Sequence, residues 1–240
     1  MKIIIMCGGR GKRLGTLTEK IPKPLVKVNN QIILNVKLEQ YLQQGFNDFI
    51  FCIGYKGSLI KNTVSKLKSN MNYQFSDAGL NVGILERIYN AKDLFDDQIL
   101  MTYGDTFTDI KLKKLIDSHH KSDNEVTIVT APIQNPFGLV EFDKDNKVTY
   151  LKEKPILNYY IGYAIINKSS FDLIPSEVVS MPDGEGLITF FKSLIKMGKL
   201  GVYNHSGLQI TFNTKEELKV AEKKLIRFYT TLDSGGKDEK

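Results

Sequence analysis

"MCGGRGKRLG", Met6 to Gly15, sets four glycines and three cations directly behind the aliphatic run Ile3-Ile4-Ile5. A turn needs one or two glycines for its backbone and has no use for Arg10, Lys12 and Arg13 crowded around them. Glycines let backbone N–H groups close on a phosphate chain, and neighbouring cations can bond the same oxygens. The stretch therefore reads as an anion cradle at the carboxyl end of a buried strand, where α/β sheets bind their ligands. Its spacing departs from two commoner loops. Gly9-x-Gly11-x-x ends on Leu14, which excludes the dinucleotide fingerprint, and no G-x-x-x-x-G-K-[ST] run is present. A glycine-rich loop standing alone is also compatible with a flexible surface turn, so its surroundings decide.

Outward from the loop, short apolar runs alternate with stretches of helical spacing. Strands are expected at Lys2–Cys7, Asp48–Ile53, Tyr73–Ser76, Ile99–Tyr103 and Glu125–Ala131, with helices between them at Ile33–Gln44, Ser58–Leu67, Gly83–Leu94 and Lys111–Lys121. The runs Ile3–Met6 and Phe49–Ile53 are apolar without alternation, as strands covered on both faces should be. Past Ala131, Gly138–Phe142 and Val148–Lys152 flank "DKDN" and read as a β-hairpin, followed by a strand at "YYIGYAIIN" and helices near Phe171 and over Leu187–Met197. A last helix opens with Thr214 and Glu217 at capping-box spacing and carries Leu218, Ala221, Leu225 and Phe228 along one stripe. The pattern predicts an α/β fold: a Rossmann-like three-layer α/β/α arrangement on a mixed, mostly parallel sheet, with a small β-hairpin elaboration in the second half.

Composition is that of a globular domain, with 42% hydrophobic and 25% charged residues. No apolar run approaches the roughly 18 residues of a membrane helix, and the N-terminal aliphatic stretch is too short for a signal-peptide core. A cytoplasmic protein without a membrane partner is expected. The net charge of +6 is spread along the whole chain with no dense basic block, which favours a solvated lysine surface over nucleic-acid binding. Cys7 and Cys52 end strand-like runs and read as two buried thiols.

The continuation "GGRGKRLGTLTEKIPKPLVKV" resembles the signature of the sugar-1-phosphate nucleotidyltransferases, with Gly8, Gly9, Gly11, Arg13, Leu14, Thr18, Pro22, Lys23 and Pro24 in register. "DFIFCIGYKG", "ILMTYGD" and "YLKEKP" follow in the expected order, most like the glucose-1-phosphate cytidylyltransferase branch. The resemblance implies a single domain over residues 1–231, its nucleotide-binding part about 1–131 and its sugar-phosphate part about 132–231, ahead of a flexible tail at 232–240. It implies joining of a sugar 1-phosphate to an NTP, with CTP as the first expectation and UTP, GTP or dTTP as alternatives. A phosphate oxygen attacks the α-phosphorus in line and pyrophosphate leaves, a chemistry of positioning and charge neutralisation. Gly8, Gly9, Gly11 and Lys12 would hold the triphosphate, and Arg13 and Lys23 would be catalytic. Asp77, Gly79, Asn81 and Gly83 would read the base, and Gly138, Glu153, Lys154, Gly162 and Glu185 would hold the sugar phosphate. Asp105 would bind Mg²⁺. Related enzymes commonly assemble and serve surface-glycan or polysaccharide precursor synthesis, so a homo-oligomer is expected.

Three positions depart from the pattern. Lys12 stands where the family usually has a small hydroxyl residue, and Ile161 stands near the position of a family asparagine that contacts the sugar. "LQITFNTKEEL" offers Thr211 or Asn213 in place of an aspartate that completes the metal site. That loss leaves open a second expectation, a catalytically weak homologue that binds nucleotides as a regulatory subunit. His119 and His120 are adjacent and cannot share an ion, and His205 has no partner visible in the sequence.

Overall fold

A computed structural model describes residues 1–67 and 70–233. Seven strands form one sheet in the spatial order Leu200–Asn204, Val126–Gln134, Ile156–Asn167, Gln98–Tyr103, Lys2–Met6, Asp48–Ile53, Asn72–Asp77. The strand Ile156–Asn167 runs antiparallel to both neighbours and the other pairs are parallel. The expected mostly parallel α/β sheet is thus observed. The hairpin is there too, as Leu139–Phe142 paired with Val148–Lys152.

The unalternating apolar runs find their reason in burial on both faces. Ile3, Ile5, Phe49, Phe51 and Ile53 join one core, closed by Leu34, Leu38 and Tyr41 of the helix Ile33–Gln43, by Ile60 and Val64, and by Leu112 and Leu115. Ile4, Ile50, Cys52 and Met101 point the other way, onto Leu85 and Ile88 of the helix Ile84–Asn90 and Phe190 and Leu194 of the helix Gly186–Lys196. Both cysteines are free thiols in these cores. Burial pushes the Cys52 thiol up to about 12 and the Cys7 thiol higher still, so neither is a nucleophile.

A third cluster, Leu14, Val26, Phe107, Ile210 and Phe212, sits under Ala221 and Leu225 of the helix Lys215–Asp233. The Phe228 side chain and most of the 232–240 tail lie outside the described residues. The helix expected over Gly83–Leu94 is divided: its α-helical part ends at Asn90, and a separate single turn follows at Lys92–Leu94. Among the described residues, no helix is long and apolar enough to cross a membrane.

From the first strand the chain moves outward to Asp48–Ile53 and Asn72–Asp77, then crosses back to Gln98–Tyr103 on the opposite side. The order reverses between Lys2–Met6 and Gln98–Tyr103. In open α/β sheets the carboxyl ends of the strands at such a reversal leave a crevice that takes the ligand.

Candidate functional site

A cleft of about 840 Å³ opens at that reversal, and Met6, Cys7, Tyr103 and Gly104 form its floor. The glycine loop makes one wall. Gly8 is buried and its carbonyl accepts from the Tyr55 N–H at 3.1 Å. A methyl group on Gly8 would stand 2.5 Å from Arg87 Nη1, so this glycine admits the guanidinium beneath the loop. Gly9 faces open space. Gly11 adopts a left-handed backbone (φ 61°), and its carbonyl accepts the Thr18 hydroxyl at 2.9 Å. Arg10, Lys12 and Arg13 are exposed along the rim.

Lys23 is presented by a single turn, Lys23–Leu25, between Pro22 and Pro24. Only 8% of Lys23 is exposed, and its Nζ lies 2.5 Å from Asp105 Oδ2 and 3.2 Å from Asn213 Oδ1. The Phe212 ring centroid is 5.2 Å from the same ammonium. Asn213 is held at the entrance to the last helix by its own N–H, which donates to Glu217 Oε2 at 2.6 Å, while the Glu217 N–H donates to Thr214 Oγ1. The expected Thr214–Glu217 cap is thus in place, its carboxylate reaching one residue further back. Three distant segments meet on one ammonium: the loop after the first strand, the end of the central strand, and the start of the last helix.

The cleft therefore gathers Gly8, Gly9, Gly11, Lys12, Arg13, Lys23, Asn81, Asp105 and Gly162 from the expected set, together with Thr211 and Asn213. Ile161 lines it as well, beside Ile133 and Tyr159. Asp77, Gly79 and Gly83 flank Asn81 without lining it. Asp77 Oδ1 accepts the Gly79 N–H at 3.1 Å, and Gly83 caps the following helix. Gly138, Glu153 and Lys154 cluster at the hairpin base outside the lining, with Lys154 Nζ 3.7 Å from Glu153 Oε1 and both side chains exposed. Glu185 is exposed at the start of the helix Gly186–Lys196, two residues from Asp183, which does line the cleft.

Sequence reasoning passed over Arg87. It is 4% exposed and donates to Val82 O at 3.1 Å, Ile53 O at 2.7 Å and Gly79 O at 2.8 Å, tying the 79–82 loop to the strand end beneath Gly8. Its sign in the sequence was an arginine amid apolar spacing in "GILERIYN", which also suits a solvated helix face. Arg87→Met strips three carbonyls of their donor and should cost about 3 kcal/mol, read as a lower denaturation midpoint in urea, because unsatisfied buried acceptors cost about 1–3 kcal/mol each and some regain water.

His205 has a partner after all: its Nε2 is 3.0 Å from Asp109 Oδ1 and 3.2 Å from Leu208 O. The pair ties Asn204–Leu208 to the strand Phe107–Thr108, just ahead of Thr211 and Asn213. Burial, the largest influence on His205, lowers its pKa, but the Asp109 bond, the Leu208 carbonyl and the Asp109 charge together raise it above 6.5. Burial likewise pushes Asp109 up, and the His205 bond and charge with two backbone bonds carry it below 3.8. The stabilisation is then full between about pH 4 and 6.5 and fades as pH rises through the raised histidine value. The melting-temperature gap between the wild type and Asp109→Asn should be widest in that window and shrink above it, as thermal scans from about pH 4 to 9 would show.

Fold and cleft together define a doubly wound α/β protein with a cleft at the switch point. The chain belongs to the nucleotidyl transferase family, whose sequence profile matches residues 2–221. It is 30% identical to a probable glucose-1-phosphate cytidylyltransferase of Bacillus subtilis, over 91% of this chain and 93% of that one. It is 28% identical to the glucose-1-phosphate cytidylyltransferase of Salmonella typhimurium, over 86% of this chain and 89% of that one. Among solved structures, a putative glucose-1-phosphate thymidylyltransferase from Bacillus anthracis superposes with a TM-score of 0.73 at 18% identity, covering 93% of this chain and 94% of that one. The resemblance carried by the opening loop is borne out.

Proposed function

We propose that the protein joins a sugar 1-phosphate to a nucleoside triphosphate, releasing pyrophosphate, with CTP as the preferred nucleotide. The observation that carries this reading is the convergence of Lys23, Asp105 and Asn213 at the foot of a cationic glycine loop. Backbone N–H groups of Gly8, Gly9 and Gly11, with Lys12 and Arg13, hold the triphosphate chain. Lys23 and Arg13 offset the charge that develops on the α-phosphate and the departing pyrophosphate. The sugar phosphate lies toward Gly162, with Gly138, Glu153 and Lys154 reached from the exposed hairpin side and Glu185 from the start of the helix Gly186–Lys196. Asp77, Gly79, Asn81 and Gly83 border the base.

CTP rests on the two cytidylyltransferase relatives; UTP, GTP and dTTP are the alternatives to test. Ile161 and Ile133 make the acceptor side more apolar than glucose alone requires, so the acceptor panel extends beyond glucose 1-phosphate.

The donor set fits Mg²⁺. Asp105 and Asn213 turn oxygens toward one point already occupied by a positive charge, the Lys23 ammonium. Mg²⁺ is commonly held by one or two carboxylates plus substrate phosphates, so one aspartate and one amide oxygen suffice when the triphosphate supplies the rest. When bound beside that ammonium, the ion would neutralise phosphate charge.

The hairpin supports assembly with a second copy. Phe142 and Leu151 are 65% and 67% exposed. Residues 139–154 also balance four acidic against four basic side chains, in a chain of net charge +6. Light scattering should give a mass above that of the 27.2 kDa monomer. The two buried free thiols favour a reducing, cytoplasmic setting.

Pyrophosphate release with Mg²⁺, each nucleotide in turn and a panel of sugar 1-phosphates tests the reading. One nucleotide above the rest names the base. Nucleotide binding without release would favour the regulatory-subunit reading, which the neutral Asn213 also suits.

A further inference from the structure

Lys37 lies midway along the helix Ile33–Gln43 and is completely buried, on the core side of the segment that carries Asp105. Its Nζ donates to the Thr106 carbonyl and, at 2.7 Å, to the Tyr163 hydroxyl. The Tyr163 hydroxyl lies 3.2 Å from the same Thr106 carbonyl. One turn on, Gln40 Nε2 donates to the Thr108 carbonyl. Two side chains of one helix thus hold two carbonyls of the stretch 106–108, immediately after Asp105. The Tyr163 ring centroid is 4.6 Å from the Lys37 ammonium, and Tyr41 and Phe107 stand further off. Among the described residues, no carboxylate forms an ion pair with Lys37.

Burying an ammonium without a counter-ion costs several kcal/mol, and a methionine of similar length would fill the space without that cost. The core alone gives no reason for the charge. The reason lies one residue from Thr106, where Asp105 must meet Lys23 within a few tenths of an ångström. A backbone carbonyl gripped by a charged donor moves less than one held by a neutral donor. Lys37 also acts on its surroundings through charge, since it is the main influence that pulls Tyr163 below its ordinary value against burial.

We propose that Lys37 is a positioning residue: its buried ammonium, clamped on the Thr106 carbonyl, fixes the Asp105 carboxylate against Lys23 at the floor of the cleft. This rests on the transfer reaction above only where turnover is measured. Lys37→Met removes the clamp and keeps the volume.

Three measurements on the full chain test it. The melting temperature should change little, because loss of the desolvated charge offsets loss of one donor to the Thr106 carbonyl, which keeps the Tyr163 hydroxyl at 3.2 Å. In the transfer assay kcat should fall about 10²-fold with the nucleotide KM within about threefold, because misplacing a reacting group by about 1 Å costs that much and the glycine loop is untouched. A merely structural role would instead lower the melting temperature and leave kcat per folded molecule unchanged. Without any substrate, Lys23 should react with an amine-acylating reagent roughly fivefold faster than in the wild type, read by peptide mass spectrometry, because the loosened Asp105 no longer covers it.

A faster-reacting Lys23 in a chain that turns over no substrate would support the clamp and sink the transfer reading. Wild-type kcat together with unchanged Lys23 reactivity would overturn the clamp. Should Lys37→Met fail to fold, Tyr163→Phe removes one hydroxyl of the network and keeps the ammonium. A kcat loss of roughly threefold to tenfold is then expected, and no loss in either kcat or Lys23 protection would overturn the proposal.

Discussion

Asp105→Ala is expected to lower turnover by at least about 10³-fold while leaving the sheet intact. The carboxylate is the only acidic group in contact with Lys23 among the described residues, and it stands where the central strand delivers it into the cleft. Without it the cleft lining keeps five cations, Arg10, Lys12, Arg13, Lys23 and Arg87, and among the described residues no carboxylate in contact with Lys23 to organise them or a metal. The fold should survive. Breaking a buried pair costs about 3–5 kcal/mol, and the partial exposure of the two side chains brings the expected loss nearer about 2 kcal/mol. Initial rates and circular dichroism on the same preparation separate the two effects. Wild-type rates in the variant would remove Asp105 from the reaction.

Lys23→Met should cost about 10²–10³-fold, and chiefly in kcat. The ammonium is already tied to Asp105 and Asn213 at rest, so it contributes most where new charge appears on the phosphates. The exposed Arg10, Lys12 and Arg13 remain to attract the nucleotide, and its KM should change far less. A loss wholly in KM would make Lys23 a binding group only. The pair Asp105 and Lys23 should also be strongly non-additive, the double variant being little worse than either alone, since each works through the other.

The elements were largely legible because they follow from local rules. Ile3–Met6 and Phe49–Ile53 lack alternation, which only a strand buried on both faces explains, and the glycine loop sits where such a strand must end. Thr214 and Glu217 marked the last helix through their capping-box spacing of three residues. What stayed hidden depends on contacts between distant residues. Lys23 and Asn213 are 190 positions apart, and His205 meets Asp109 only because the strand Gln209–Ile210 returns beside Phe107–Thr108. Lys37 and Gln40 were not singled out in the helix expected over Ile33–Gln44, yet both are buried against the stretch that carries Asp105. Arg87 was invisible for the same reason: its role is to fill the space under Gly8, and nothing in "GILERIYN" points to Gly8. The hairpin was foreseen, but not that its base would stand outside the cleft lining.

The most direct test of the whole account is a ³¹P spectrum of the wild-type protein with Mg²⁺, CTP and glucose 1-phosphate, repeated with other nucleotides and acceptors. In-line transfer predicts pyrophosphate and a new diphosphate ester rising in equal amounts, with Asp105→Ala silent under the same conditions. Orthophosphate in place of pyrophosphate, or no new diphosphate ester with any nucleotide and acceptor, would contradict it.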